Sequence, residues 1–240
     1  MKPQNCWKSL AKPLMVLAPM ANVTDVAFRR TIAKYGKPDM MWTEFVSADG
    51  LMSPGRKVLL RDLEYNEAER PIITQLFTGH ADKMLGAAKL VKKLKFDGLD
   101  INMGCPDRSV EKQGGGAAMI KDKENALAVI SAAREGSGLP VSVKTRIGYN
   151  KIQIEEWIGF LLEQKLPALT VHLRTRKEMS DVPAHWELMS DIVALRNKIS
   201  PETLIIGNGD VMSVEEGKIK CKETGCDGVM IGRGIFGNPW

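Results

Sequence analysis

The chain has 240 residues, a formal net charge of +5 at pH 7 and 44% hydrophobic residues, which is typical of a folded globular protein and excludes a disordered one. Its apolar runs are far shorter than the roughly 20 residues of a transmembrane helix, and no signal-peptide pattern opens the sequence. We therefore expect a cytoplasmic protein without a membrane segment. The 4 cysteines are too scattered for a disulfide framework or a Cys-x-x-Cys metal site, so no metal site is predicted.

One pattern recurs along the chain: a short apolar or β-branched run ends in a polar or glycine-bearing cluster and leads into a helix-patterned stretch. The runs cover residues 14–18, 40–44, 72–76, 98–102, 141–144, 168–172, 204–207 and 228–231. They recur about every 30 residues, the length of a strand with its crossover helix. The pattern predicts a closed (β/α)8 TIM barrel that forms one domain over residues 1–240. A doubly wound open sheet is the alternative, although its glycine-rich dinucleotide turn is missing after the first run.

Three of the intervening helices are well marked in the sequence. The stretch 25–35 opens after Thr24 and stops before Gly36, and the stretch 124–135 ends at Gly136. Residues 83–95 combine lysines with apolar residues at helical spacing, which indicates a solvated outer helix face. Few residues follow the eighth run, so we expect the last outer helix to be missing and the outer side of the eighth strand to be exposed.

Unusual polar residues collect where the predicted strands end, which is where the active site lies in this kind of barrel. The clusters after the seventh and eighth strands contain Gly209, Gly232 and Arg233. Glycines let backbone N–H groups approach an anion, and arginine adds a permanent charge, so these clusters predict a phosphate site. Ordinary tight turns are the alternative use of the same glycines.

Four further strand-end residues are candidates for chemistry. Lys144 would reach the barrel mouth, where it needs an anion or an electron-rich carbonyl, unless its stem extends to solvent. Gln75 suits a planar ring with amide edges, and His172 could bind phosphate, act as an acid or satisfy a carbonyl. Cys105 follows the fourth strand between a glycine and a proline. Its thiol is mostly protonated at neutral pH, which suits a proton donor as well as a nucleophile.

Taken together, these residues resemble the tRNA-dihydrouridine synthases, flavin-dependent barrel enzymes that reduce uridine in tRNA. The resemblance runs from residue 17 to 240 and rests on Ala-Pro-Met at 18–20, Gln75, Asn-Met-Gly-Cys-Pro at 102–106, Lys-Thr-Arg-Ile-Gly at 144–148, His-Leu-Arg-Thr-Arg at 172–176, Gly-Asn-Gly-Asp at 207–210 and Gly-Arg at 232–233. Leu173 stands where we expect glycine in this family. We also expect the family's C-terminal helical tRNA-binding domain to be absent from these 240 residues.

The resemblance implies bound FMN, NADPH as its reductant and tRNA as the substrate. It assigns the cofactor to Pro19, Met20, Ala21, Gln75, Lys144, His172, Asn208, Gly209, Asp210, Gly232 and Arg233. Hydride would reach carbon 6 of uracil, and Cys105 would give a proton to carbon 5. Asn102 would hold the extruded base, with Arg146, Arg174 and Arg176 along the RNA backbone.

Two other functions remain open at this stage. One is a different FMN barrel oxidoreductase, similar to dihydroorotate or dihydropyrimidine dehydrogenases, that acts on a free pyrimidine. It would reduce or oxidise free bases, and salt would barely change substrate binding. The other is a non-catalytic RNA-binding barrel with a vestigial flavin site, which would be colourless when purified.

Overall fold

The computed structural model describes residues 5–237, so residues 1–4 and 238–240 of the predicted domain lie outside it. Its eight parallel strands are β1 Leu14–Leu17, β2 Met41–Ser47, β3 Ile72–Phe77, β4 Gly98–Met103, β5 Val141–Arg146, β6 Ala168–His172, β7 Leu204–Asn208 and β8 Gly228–Ile231. They form one sheet in the order β1-β8-β7-β6-β5-β4-β3-β2. A bridge between Val16 and Met40 joins the two ends of this sheet. The predicted barrel is therefore confirmed, and the open-sheet alternative is wrong.

Strand β2 departs most from its predicted bounds. It continues to Ser47, beyond the predicted end at residue 44, and its register against β3 shifts between Trp42 and Phe45. Such a bulge adds a residue to one strand and turns the following side chains. Simple alternation of apolar residues does not reveal an added residue, so this extension could not be predicted from the sequence.

The described helices are α1 Val26–Tyr35, α2 Ala48–Leu51, α3 Arg56–Leu59, α4 Ala81–Lys93, α5 Arg108–Lys112, α6 Lys123–Ser137, α7 Gly159–Glu163, α8 Met189–Ile199 and α9 Val214–Thr224. Helix α1 confirms the predicted helix at 25–35 but starts one residue later, because Asp25 is its cap and its side chain accepts the Phe28 N–H at 2.7 Å. Helix α6 passes through Gly136 and ends at Gly138, so the predicted end was wrong. A Cβ on Gly136 would lie 2.5 Å from the Leu85 carbonyl oxygen, so this glycine allows α4 and α6 to pack closely.

Helix α4 has the predicted division into two faces. Its lysines Lys89, Lys92 and Lys93 are exposed, whereas Met84 and Val91 are fully buried against the barrel. The charged stretch is therefore the solvated outer face of a barrel helix. Within residues 5–237, no helix has the length and apolar character needed to cross a membrane.

The core has two parts, one inside the ring of strands and one between the strands and the helices. Inside the ring, Trp7 and Trp42 pack with their ring centroids 5.8 Å apart, together with Ile73, Ile206 and Met230. Trp7 precedes β1, so this apolar cluster fills the lumen from the amino ends of the strands. Polar side chains occupy the rest of the lumen, towards the carboxyl ends.

The outer side of β8 is covered, contrary to the expectation from the sequence. Val229 is 0% exposed and Ile231 is 1% exposed. Helix α9 packs against this strand, and its Gly217 lies close to Met15 and Val229, where a Cβ would meet the Met15 sulfur at 2.8 Å. After β8 the described chain forms only a short 3-10 helix, Arg233–Ile235. Gly217 thus lets helix α9 lie close enough to cover parts of both β1 and β8.

Candidate active site

A cavity of about 640 Å³ opens at the carboxyl ends of β1 and of β5 to β8. Most of the residues predicted to bind a cofactor line it, namely Pro19, Met20, Lys144, His172, Asn208, Gly209, Asp210, Gly232 and Arg233. These residues are far apart in the sequence. They come together because all strands of a parallel barrel end at the same rim.

Lys144 is a half-buried cation of this cavity. Its Nζ donates to Asn208 Oδ1 at 3.0 Å, and Asn208 Nδ2 donates to the Met230 carbonyl at 2.8 Å. Burial lowers the pKa of Lys144 to about 8, and the nearby charge of Arg146 acts in the same direction. The side chain is still largely protonated at neutral pH. Because an ammonium carries three donors, it can also donate to a ligand in the cavity.

His172 is held in its neutral form. Its Nε2 lies 3.1 Å from Arg174 Nη1, and a guanidinium can only donate, so Nε2 is the acceptor and Nδ1 carries the proton. Burial, reinforced by the charges of Lys144 and Arg146, holds the pKa of His172 well below its ordinary value of 6.5. The buried Arg174 is also paired with Asp210. This cluster therefore presents a neutral imidazole N–H rather than a titrating group.

Arg233 is the accessible cation on the same side of the cavity. Its side chain is 69% exposed and lies 3.8 Å from Asp210 Oδ1, a weak ion pair that leaves most of its donors to solvent. The neighbouring turn requires glycine at Gly209, where φ is +129° and a Cβ would lie 2.7 Å from the Ala184 Cβ. An exposed guanidinium beside a tight glycine turn is an arrangement suited to an anion such as phosphate.

The loop after β4 holds Cys105 from both sides. Asn102 Oδ1 accepts the backbone N–H groups of Gly104 at 3.1 Å and Cys105 at 2.9 Å. The Cys105 carbonyl accepts the Ala117 N–H at 2.9 Å. Gly116 has a φ of +57°, and a Cβ on it would lie 2.6 Å from the Cys105 carbonyl oxygen. The position of Cys105 thus depends on a distant glycine that allows the two segments to touch.

The Cys105 thiol is partly buried. Burial raises its pKa above the ordinary value, although the backbone N–H of Asp107 and the charges of Arg146 and Lys144 oppose the rise. The thiol is therefore protonated at neutral pH. Asn102 pairs with Lys144 in the β4–β5 register, so the Cys105 loop starts beside the lysine of the cavity.

Two residues predicted to bind the cofactor lie outside the cavity lining. Ala21 is exposed at the rim. Gln75 is completely buried, and its amide is used within the protein: Nε2 donates to Asp100 Oδ2 at 2.6 Å, and Oε1 accepts Asn102 Nδ2 at 3.0 Å. Gln75 thus contacts the residue that holds the Cys105 loop.

Comparison with known proteins identifies the family. Residues 16–240 match the family described as Dihydrouridine synthase (Dus). The chain is 42% identical over 239 residues to a protein of Bacillus subtilis (strain 168) named "Probable tRNA-dihydrouridine synthase 2", covering 99% of this chain and 73% of the relative. A Staphylococcus aureus (strain COL) protein named "Probable tRNA-dihydrouridine synthase" is 41% identical with the same coverage. The chain belongs to the dihydrouridine synthase family.

Solved structures support the fold of this family member. Morphinone reductase superposes with a TM-score of 0.65 at 13% sequence identity, covering 97% of this chain and 85% of that one. A variant of NCR from Zymomonas mobilis gives a TM-score of 0.56 at 15% identity, covering 94% and 83%. At such low identity the comparison shows a shared barrel only.

The three arginines expected along RNA have different positions in this dihydrouridine synthase. Arg146 is 5% exposed and donates to the carbonyls of Gly104 at 2.8 Å, Thr175 at 3.0 Å and Met179 at 2.8 Å. Arg174, also buried, donates to the Val182 carbonyl at 2.6 Å. Both arginines hold loops at the mouth through backbone carbonyls, and their contact with the RNA backbone stays a prediction.

Arg176 is the most accessible of the three, with 26% of its side chain exposed, and it pairs with Glu111 on α5. It also lies 3.5 Å from the Pro106 carbonyl, directly after Cys105. Leu173, where we expected glycine in this family, is fully buried in the core between sheet and helices. Its side chain therefore leaves the cavity open.

Several residues that shape the site were missed in the sequence. Ser180, Val211, Met212 and Met230 also line the cavity. On β8 every second side chain faces the inside of the barrel. Met230 lies two residues before Gly232, so it could have been predicted to line the cavity. Asp100 and Ser142 occupy the lumen below the Cys105 loop, joined by a 2.5 Å hydrogen bond. A carboxylate inside an otherwise apolar strand run was a signal that could have marked Asp100.

Proposed function

We propose that this protein reduces uridine in tRNA to dihydrouridine, with FMN as its cofactor and NADPH as the reductant, and that it acts in the cytoplasm, where tRNA is processed. The observation that carries the proposal is the arrangement of the barrel mouth. One cavity holds a half-buried lysine and an exposed arginine, and the protonated Cys105 thiol lies on the adjoining loop.

The residues of the cavity fit a flavin mononucleotide in their donor chemistry. Arg233 and the glycine turn at Gly209 supply a charge and an open backbone for a phosphate. The neutral His172 adds a ring N–H on the same side. Pro19 and Met20 offer apolar surface for a planar ring. We assign the cofactor to these lining residues, and the contact of Gln75 and Ala21 with it stays a prediction.

Lys144 holds positive charge where the reaction needs it. When bound and reduced, FMN would supply the hydride for carbon 6 of the uracil ring. Lys144 would hold the cofactor's ring through its ammonium group, and because Asn208 already fixes the direction of that group, it would stabilise negative charge on the ring without any rearrangement. Lys144 thus favours both retention and reduction of the cofactor.

Cys105 is proposed as the proton donor to carbon 5. The raised pKa keeps the proton on sulfur at neutral pH, which a general acid requires. Asn102 and Ala117 fix its backbone from two directions, so the thiol is presented by a loop with a defined path. Once the proton is transferred, the nearby charges of Arg146 and Lys144 stabilise the thiolate that remains.

A uridine within a stacked or paired RNA strand cannot reach this cavity, so the target base must be extruded into it. We propose that Asn102 meets the base and that Arg176, the accessible arginine beside the Cys105 loop, contacts the RNA backbone. Arg146 and Arg174 instead keep the surrounding loops in place.

The test is to incubate the purified protein with FMN, NADPH and an unmodified tRNA transcript, and to measure dihydrouridine by mass spectrometry. We expect dihydrouridine in tRNA, no conversion of free uracil or orotate, and weaker tRNA binding as salt rises. Turnover of a free pyrimidine without salt dependence would support the dehydrogenase-like alternative. A colourless protein that binds tRNA without forming dihydrouridine would support the non-catalytic barrel.

A further inference from the structure

A continuous line of hydrogen bonds runs from the centre of the barrel to the Cys105 loop. Gln75 Nε2 donates to Asp100 Oδ2 at 2.6 Å, Asn102 Nδ2 donates to Gln75 Oε1 at 3.0 Å, and the Cys105 N–H donates to Asn102 Oδ1 at 2.9 Å. We call Asp100, Gln75 and Asn102 the amide relay. The relay begins at a carboxylate that lines no cavity and ends at the backbone of the proposed proton donor.

Asp100 is an unusual residue for this place. It is 0% exposed on a strand whose neighbours Leu99 and Ile101 are also fully buried. Ser142 donates to its other oxygen at 2.5 Å. A buried carboxylate is costly unless several donors satisfy it, and an apolar residue there would avoid that cost. Its presence therefore needs a reason beyond filling the lumen.

The relay has only one consistent direction. A carboxylate accepts and does not donate, so Asp100 obliges Gln75 to turn its NH2 group inward and its carbonyl oxygen outward. That oxygen obliges Asn102 to turn its own NH2 group towards Gln75. The Asn102 carbonyl oxygen is then left facing the loop, where it accepts the N–H groups of Gly104 and Cys105. Reversal of either amide would set two donors or two acceptors against each other.

We propose that Asp100 is a positioning residue for Cys105, acting through Gln75 and Asn102. Its catalytic meaning rests on the function proposed above. Asp100 fixes the direction in which both amides face, and thereby fixes the loop that presents the thiol. Without an acceptor-only group at position 100, only the backbone N–H groups of the loop determine which way the two amides face. The Cys105 loop is then held less firmly.

The principal test is Asp100→Asn in the FMN-loaded protein, with Ser142→Ala as the control that removes the other hydrogen bond to Asp100. Asparagine has both a donor and an acceptor, so position 100 no longer obliges Gln75 to face one way, and only the loop N–H groups direct the relay. We expect Asp100→Asn to lower kcat about tenfold, with KM for tRNA unchanged within about twofold. Ser142→Ala should stay within about twofold of wild type in both parameters. Equal effects of the two variants would overturn the proposal.

A second readout does not depend on turnover. The rate of Cys105 alkylation by iodoacetamide, followed by mass spectrometry of its peptide, should rise severalfold in Asp100→Asn, because the loop opens more often. It should not rise in Ser142→Ala. Cys221 and Cys226, which are 7% and 5% exposed, provide internal references. An unchanged Cys105 rate in Asp100→Asn would contradict the proposal. A wild-type protein that forms no dihydrouridine would instead contradict the proposed function, and the alkylation comparison would still apply.

Two combinations of substitutions test whether Asp100 acts through the relay. In an Asn102→Ala background, Asp100→Asn should lower kcat by less than about twofold, because the relay is already broken; a full tenfold further loss would overturn the proposal. If Asp100→Asn alone does not fold, the pair Asp100→Asn with Asn102→Asp reverses the two side-chain bonds of the relay, while the carboxylate at position 102 still accepts the loop N–H groups. This pair should have a higher thermal midpoint than Asn102→Asp alone, and a lower one would contradict the proposal.

Discussion

The two sides of the barrel mouth use their polar residues differently. On the side of β5 to β8, Lys144 keeps donors for a ligand and Arg233 has 69% of its side chain exposed. On the side of β3 and β4, Gln75 and Asp100 are fully buried and are bonded within the protein. The difference indicates that one side is built to take up a ligand and the other to hold a reacting group in place.

The largest effect is expected from Cys105→Ala, which removes the reacting group but leaves the cavity intact. Dihydrouridine formation should fall by about 10²–10⁴, the usual contribution of a positioned general acid. FMN content and its reduction by NADPH should match the wild type, because the thiol is not among the cavity-lining residues. Absorbance of the flavin and single-turnover product analysis measure the two properties. A variant that forms dihydrouridine at the wild-type rate would remove the proton-donor role.

Lys144→Met should have the next largest effect, because methionine keeps much of the side-chain volume without the charge. We expect flavin reduction by NADPH to slow about a hundredfold, the size of effect seen when a preorganised electrostatic stabiliser is removed. Stopped-flow absorbance follows this step. Lys92→Met on the exposed face of α4 is the matched control and should behave as wild type. An unchanged flavin content and reduction rate in Lys144→Met would contradict the assignment.

Arg233→Ala tests the accessible end of the cavity. Loss of one charged hydrogen-bond donor should weaken FMN binding about tenfold, with activity at saturating FMN changed by less than about twofold. Fluorescence titration of the apoprotein with FMN gives the Kd. Arg30→Ala, an exposed arginine on α1, is the control. Equal FMN affinities in the two variants would show that Arg233 does not contact the cofactor.

The smallest expected effect is a dependence of FMN affinity on pH. Burial lowers the pKa of Lys144 to about 8, so the lysine loses its proton and its charge as pH rises through that value. The Kd for FMN should therefore increase severalfold between about pH 7 and 9. Lys144→Met should show a flat profile over the same range. A wild-type profile that is equally flat would mean that this charge does not contribute to binding.

The sequence was sufficient to predict the barrel and the residues on the β5 to β8 side of its mouth. Strand ends converge in any parallel barrel, so recognising eight apolar runs already placed Lys144, His172 and Arg233 at a common rim. Local patterns also predicted helix α1 and the division of helix α4 into a buried face and an exposed face. These features depend on residues that are neighbours in the sequence or follow from the repeat itself.

The other side of the mouth depends on contacts between distant segments, which the sequence does not display. Gly116 allows its loop to touch the Cys105 carbonyl, and nothing near Cys105 signals that contact. Arg146 was expected along the RNA backbone from the family resemblance, and nothing near it in the sequence signals that it donates to three backbone carbonyls at the mouth. Gln75 was expected to meet a ligand, but Asp100 and Asn102 already use both ends of its amide.

The most direct test of the central claim is a single turnover without oxygen. FMN-loaded protein is first reduced with NADPH, freed of excess reductant and then mixed with unmodified tRNA. We expect flavin oxidation and dihydrouridine formation to proceed together and in equal amounts, and Cys105→Ala to slow both. Flavin that is reoxidised by tRNA without forming dihydrouridine, or that reacts as fast with free uracil, would contradict this claim.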